Sequence, residues 1–263
     1  MREVRIMTRT VVITGATSGI GQALAQRYAA PGIVLGLIGR DPERLGRIAD
    51  DARQRGAVIV TGAIDVRDRV AMQTWLRNLD RDHSIDLVIA NAGVMEGTPP
   101  GGTIEPADAA YDLMQTNVLG VMNTVQPILD AMVTRGRGQV AIMSSIAAFI
   151  PLADSPSYCA SKSAVLSYGL SLRALLARQG IRVSVICPGY IETPMMLREN
   201  GPKPFKMSAE RAAELIATGL ERDKAVISFP AFFAWMTWLN GILPDGLRRQ
   251  LSRSFRFTVS PWG

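Results

Sequence analysis

Short apolar runs that do not alternate with polar residues, each followed by a helix-like stretch, recur along most of this 263-residue chain. The runs are residues 10–14 (TVVIT), 33–38 (IVLGLI), 58–63, 85–90 (IDLVIA), 139–144 (QVAIMS) and 182–187 (RVSVIC), with 225–229 (AVISF) a further one. A strand with one wet face alternates, whereas a strand covered on both faces reads as a continuous apolar run. Between the runs, residues 22–30, 42–55, 70–79, 107–135 and 157–179 read as helices. This alternation predicts a parallel sheet of about seven strands with helices on both faces, a doubly wound, Rossmann-type α/β fold. No linker divides the chain, so residues 1–263 are expected to form one domain, with 225–263 as a C-terminal extension.

Composition narrows the chemistry. At 48% hydrophobic and 20% charged residues the chain can bury a large core and is not a disordered segment. Lysine and arginine outnumber acids 29 to 23, a net charge of +6. No long basic run concentrates that charge, so it reads as a cationic surface suited to an anionic small molecule, and nucleic acid is not an expected partner. Cys159 and Cys187 form no CxxC pair, and His83 is the single histidine. A multi-histidine zinc site and a Ser–His–Asp triad are thereby excluded, and no metal is expected. Residues 1–9 are basic without an apolar signal-peptide core, which makes the cytoplasm the expected compartment.

Residues 14–21 read TGATSGIG, directly after the first apolar run and at the start of the first helix. Glycines at such a turn let the backbone approach a pyrophosphate, while the helix N-terminus offers unpaired N–H groups and a positive dipole end. The competing reading is a ligand-free glycine-rich turn. Tyr158 and Lys162 stand four residues apart on a predicted helix and share a face. A tyrosine with pKa near ~10 is a poor proton-transfer group at neutral pH. A neighbouring ammonium is expected to lower that value and make it a usable general acid or base. Ser145 falls at the end of the fifth run, where open α/β sheets place ligands, and can hydrogen-bond a substrate oxygen. Ser144 is its rival, with a turn hydrogen bond as its plainer role. Asn117 lies within the long predicted helix, where on its own it reads as solvent-facing.

TGATSGIG, NAG (91–93), YCASK (158–162) and PGYIETP (188–194) occur in the order seen in the short-chain dehydrogenase/reductase family, which the chain resembles over about residues 8–196. The resemblance assigns Gly15, Thr17, Ser18, Gly19, Ile20 and Gly21 to the cofactor loop. It places Asp65 and Val66 at the adenine, and Asn91, Ala92 and Gly93 where the cofactor passes close to the sheet. Pro188 and Gly189 open the motif whose Ile191 and Thr193 hold the nicotinamide carboxamide. It also implies a tetrad of Asn117, Ser145, Tyr158 and Lys162, in which Asn117 positions a water near Lys162. Lys162 additionally holds the nicotinamide ribose beside Tyr158. The implied activity is hydride transfer between a nicotinamide dinucleotide and a carbonyl or alcohol substrate, by a homodimer or homotetramer. A non-catalytic dinucleotide-binding sensor or scaffold is the alternative, and the filled tetrad argues against it.

Arg40 ends the second run, where an arginine suits the 2′-phosphate of NADP and an acid would suit the 2′-hydroxyl of NAD. Asp41 follows it, readable as an NAD contact or as a helix cap. NADP is the favoured cofactor, with Arg44 a second cation, and NAD is the alternative. The end of the chain is unusual. Residues 225–244 carry no charge, and Arg248, Arg249, Arg253 and Arg256 follow. Pro230, Asn240 and Gly241 interrupt this stretch too often for a membrane span of about 20 residues. A lid or subunit contact is the first expectation for residues 231–243, and a peripheral membrane contact the second.

Overall fold

In the computed structural model, which describes residues 10–230 and 256–260, the apolar runs form the strands expected of them. They are β1 (Thr10–Thr14), β2 (Val34–Gly39), β3 (Val58–Ala63), β4 (Leu87–Ala90), β5 (Gly138–Met143) and β6 (Ile181–Pro188). Past a two-residue β7 (Glu199–Asn200) comes β8 (Val226–Phe229). Seven of these pair in parallel in the order β3-β2-β1-β4-β5-β6-β8. All five residues of β1 are buried, which is why that run tolerates no alternation. Val11, Ile13 and Leu35 face one core with Leu24 and Ile216, and Val12 and Val88 face the other with Leu76 and Ile128. Truncating Ile13 or Leu35, both fully buried, to alanine is expected to cost roughly 2–5 kcal/mol.

The covering helices are α1 (Gly19–Tyr28), α2 (Pro42–Gln54), α3 (Arg69–His83), α4 (Ala107–Met114), α5 (Gly120–Arg135) and α6 (Pro156–Leu176), then a short α7 (Pro194–Leu197) and α8 (Ala209–Glu221). Strand order reverses between β1 and β4, and open α/β sheets bind ligands at such a switch point. The expected continuous helix over 107–135 is instead interrupted between α4 and α5 by a π-helical turn, Gln115–Leu119. Widened turns of this kind cluster at functional sites. Helix α8 was not expected from the sequence. Ser208 caps it by accepting from the Arg211 N–H at 3.2 Å, and Ala212, Ala213, Ile216, Ala217 and Leu220 form its buried face.

Part of the C-terminal extension returns to the domain. β9 (Thr258–Val259) pairs antiparallel with β7. Residues 231–243, together with Arg248, Arg249 and Arg253, lie outside the described residues. Among the described residues no helix is long and apolar enough to cross a membrane.

Candidate active site

The C-terminal ends of the central strands open into a cavity of about 950 Å³, at the upper end of ligand-pocket volumes. Gly15, Thr17, Ser18, Gly19 and Ile20 line it. Gly15 has φ +65°, and a Cβ there would lie 2.9 Å from Ala92 Cα. Gly19 has φ +54°, and its Cβ would lie 2.8 Å from Thr193 Cγ2. The glycine loop, the Asn91–Gly93 turn and the segment after β6 thus close on one another with room for backbone only. Ser18, the N-cap of α1, makes no side-chain capping bond. The first-turn N–H groups and the positive end of the helix dipole therefore suit a phosphate. Gly21 lies behind this loop, outside the residues that line the cavity. A Cβ at Gly21 would collide with the Gly15 carbonyl oxygen and the Asn91 side chain, so it packs the helix against the loop. Asn91 Nδ2 donates to the carbonyls of Thr14 at 2.9 Å and Gly15 at 3.3 Å, bracing the same turn.

Arg40 is exposed and lines the cavity with Arg44. Asp41 caps α2. Its Oδ1 accepts from the N–H groups of Glu43 and Arg44, both at 3.0 Å, and its Oδ2 lies 3.1 Å from Arg44 Nε. The Arg44 N–H foremost holds this carboxyl below its ordinary range. Asp65 also lines the cavity and is held by Arg67 Nη2 at 2.8 Å. Burial would raise its pKa, but the bonds and charge of Arg67 outweigh burial and lower it. Val66, Asn91, Ala92 and Gly93 also line the cavity, as do Pro188, Gly189, Ile191 and Thr193, the last against Gly19.

Tyr158 and Lys162 lie one turn apart on α6, with Lys162 Nζ 5.6 Å from the Tyr158 ring centroid. Nζ donates to the Met143 carbonyl at 3.1 Å. Ser145 caps a 3-10 turn, its Oγ accepting from the Ala147 N–H at 3.1 Å, and a further hydrogen bond joins its side chain to Tyr158. Ser144 turns its hydroxyl to the Lys162 carbonyl at 2.8 Å, so Ser145 is the serine near the phenol. Burial pushes Tyr158 up to about 12, with the Ser145 hydrogen bond pulling the other way. Burial likewise brings Lys162 down to about 8. The expected lowering of the Tyr158 pKa by Lys162 is therefore corrected. Removing both groups from water disfavours their charged forms, and burial is the largest cause of each shift.

Asn117 sits in the π-helical turn and is fully buried, not solvent-facing. Its Oδ1 accepts from the Val94 N–H at 2.8 Å, and its Nδ2 donates to the Val94 carbonyl at 2.9 Å and to Ser161 Oγ at 3.1 Å. It lies behind the residues that line the cavity. A Cβ on Gly93 would lie 3.1 Å from Asn117 Oδ1 and 3.4 Å from Lys162 Nζ, so the two side chains converge on Gly93.

Several cavity residues carry no sequence signal. Met95, Ile150, Leu152, Met195 and Met196 give the wall an apolar stretch, and Tyr190 and Glu199 join it. Phe257 and Val259 pack with Met95 in a small core that also contacts Leu152, Tyr158 and Met195. The buried Asp154 anchors this return, accepting from Arg256 Nε at 2.8 Å and from the Phe257 N–H at 3.0 Å. Arg198 Nη2 meets Glu96 Oε2 at 2.8 Å, and its Nε donates to the Ser260 carbonyl at 2.8 Å. These partners lie 62 to 103 residues apart in sequence, beyond the reach of any local motif.

The sequence profile of the short chain dehydrogenase family matches residues 9–203. An uncharacterized oxidoreductase of Myxococcus xanthus is 35% identical, the alignment covering 94% of this chain and 98% of that protein. Among solved structures, a short-chain dehydrogenase from Sphingobium yanoikuyae in complex with NADPH superposes with a TM-score of 0.77 at 26% identity, covering 94% of this chain and 96% of that one. A 3-oxoacyl-[acyl-carrier protein] reductase with bound NAD from Brucella melitensis gives a TM-score of 0.72 at 25% identity, covering 84% of this chain and 89% of that one.

Proposed function

The chain belongs to the short-chain dehydrogenase/reductase family, and on that premise we propose that it moves a hydride between a nicotinamide dinucleotide, NADP favoured, and a carbonyl or alcohol substrate. The observation that carries this reading is that Ser145, Tyr158 and Lys162 line the same cavity as the glycine loop. The dinucleotide, when bound, supplies the hydride to a carbonyl carbon or takes it from an alcohol carbon. Tyr158 gives its proton to the substrate oxygen on reduction and receives one on oxidation. Ser145 donates a hydrogen bond to that oxygen as negative charge develops on it. A phenol pushed up to about 12 stays protonated at neutral pH, the form that reduction needs.

The glycine cradle would hold the pyrophosphate, Asp65 and Val66 the adenine, and Ile191 and Thr193 the carboxamide. Tyr158 and Lys162 would hold the nicotinamide ribose. NADP is favoured because Arg40 and Arg44 line the cavity and Asp41, which lines it too, has its carboxylate engaged by Arg44 and the first turn of α2. Exposed Leu119, Met122, Leu170 and Leu175 on and beside α5 and α6 support self-association into a dimer or tetramer.

The test is a panel of aldehydes and ketones offered with NADPH, following loss of the reduced nicotinamide absorbance. Turnover of any of them supports the reading. Tight NADPH binding without turnover across a broad panel would move the protein to the class of dinucleotide sensors or scaffolds.

A further inference from the structure

Glu199 is a buried carboxyl beside the reacting groups, and the tetrad gives it no task. It is 4% exposed and forms part of the cavity wall. Arg198, the C-cap of α7, reaches the Met95 carbonyl at 2.8 Å and the Ser260 carbonyl at 2.8 Å, and Asn200 reaches Ser260 Oγ at 2.9 Å. These two neighbours hold the segment in place while Glu199 lines the cavity. Tyr190, also in the wall, is hydrogen-bonded to its side chain. Among the described residues its Oε1 has no hydrogen-bond partner. Burial lifts this carboxyl above its ordinary range by more than Lys203 and Tyr190 lower it.

The same cavity is lined by Met95, Leu152 and Met195, which pack around Tyr158. Burying a polar oxygen without a partner is costly, and native proteins keep few such groups. We infer that Glu199, with Tyr190, recognises a hydroxyl carried by an otherwise apolar carbonyl substrate at a position remote from the reacting carbon. The inference rests on the reductase reading and specifies its substrate class. A hydroxyl suits either state of the carboxyl, since it donates to the ionised form and accepts from the neutral acid. An apolar ketone without the hydroxyl leaves the carboxyl unpartnered, and sites built around a hydrogen bond discriminate strongly against such analogues.

The probes are a bicyclic decalone and its distal-ring monohydroxy derivatives. Their binding is measured by calorimetric titration into NADP-saturated enzyme, with the reduced-nicotinamide absorbance followed to report any oxidation of the probe hydroxyl, and their kcat/KM is measured separately with NADPH. At least one hydroxylated decalone is expected to bind at least about tenfold more tightly than the parent, the size of one charge-assisted hydrogen bond. Glu199→Leu is expected to erase that preference, Glu199→Gln to keep part of it, and Tyr190→Phe to weaken it. NADPH binding by each variant reports that it is folded. Equal binding of parent and hydroxylated probes to the wild type overturns the inference, as does a preference that survives Glu199→Leu. Binding of none of the probes by an enzyme that still binds NADPH also overturns it. If the carbonyl panel is reduced while the hydroxyl makes no difference, only this inference fails. If no carbonyl is reduced, the reductase reading fails first.

Discussion

Asn117 closes on both backbone groups of Val94, its Oδ1 2.8 Å from the Val94 nitrogen and its Nδ2 2.9 Å from the Val94 oxygen. This clamp fixes the segment after Gly93, where the wall passes Lys162. Asn117→Ala would leave the Val94 N–H and carbonyl without this partner, each such orphan costing about 1–3 kcal/mol, while Ser161 Oγ keeps its bond to the Tyr158 carbonyl at 2.8 Å. The variant is expected to melt several degrees lower and to bind NADPH more weakly. Thermal unfolding and a cofactor titration check it, and wild-type values in both would show that the clamp is idle.

Tyr158→Phe keeps the ring and removes the proton donor. Turnover is expected to fall by roughly 10²–10⁴-fold, the usual worth of a general acid or base. NADPH affinity should fall only modestly, because one ribose contact is lost while Lys162, the glycine loop and Arg40 are untouched. A steady-state assay beside a cofactor titration checks both halves, and retention of most of kcat would remove Tyr158 from the proton-transfer role.

The sheet was legible because buried parallel strands carry unbroken apolar runs, and the glycine loop and the Tyr158–Lys162 pair were legible because local spacing defines them. Three features were hidden for physical reasons. The break at Gln115–Leu119 accompanies the long-range contact of Asn117 with Val94, and nothing in the composition of residues 107–135 marks it. The protonation of Tyr158 and Lys162 is set by desolvation, which a four-residue spacing does not reveal. The wall formed by Tyr190, Met195 and Glu199 exists only once the chain after β6 folds back over the site.

Burial of Lys162 makes stability depend on pH in a direction that can be checked. Its folded pKa is about 8 against an ordinary 10.5. Between those values the unfolded chain holds a proton that the folded chain has released, so this residue makes stability rise with pH across that window. The full penalty, on the order of 3 kcal/mol by linkage, applies below about pH 8. Lys162→Met should lack this rise, although it also leaves the Met143 carbonyl without its donor. Denaturation midpoints of the cofactor-free proteins at pH 7, 8, 9 and 10 should converge or cross between wild type and variant. Parallel curves would show that Lys162 is not desolvated as described.

Arg40→Asp should shift selectivity from NADP towards NAD. It removes a cation from the cavity wall and sets a second acid beside Asp41, which repels a 2′-phosphate. A charge-assisted contact of this kind is worth about tenfold to a hundredfold in affinity. Dissociation constants for NADPH and NADH on both proteins give the ratio directly. An unchanged ratio would leave Arg44, already paired with Asp41 at 3.1 Å, as the remaining candidate for any preference.

Asp154 and Arg256 differ in burial, and that difference predicts an order of effects. The Asp154 side chain is 3% exposed and the Arg256 side chain 64%. Asp154→Ala leaves a guanidinium that water can solvate and one Phe257 N–H without its acceptor. Arg256→Ala leaves a buried carboxylate without its cation, which is the more costly defect. Arg256→Ala should therefore lower the melting temperature at least as much as Asp154→Ala, although its own side chain is largely in water. Both should loosen the return of Phe257 and Val259 against Met95, beside Tyr158. The expected kinetic signature is a raised KM with kcat less affected, together with faster proteolytic trimming at the C-terminus. Melting curves, limited proteolysis and steady-state kinetics on the two variants test this. A reversed order of stability, or an unchanged KM with unchanged protection, would show that this segment does not help shape the substrate site.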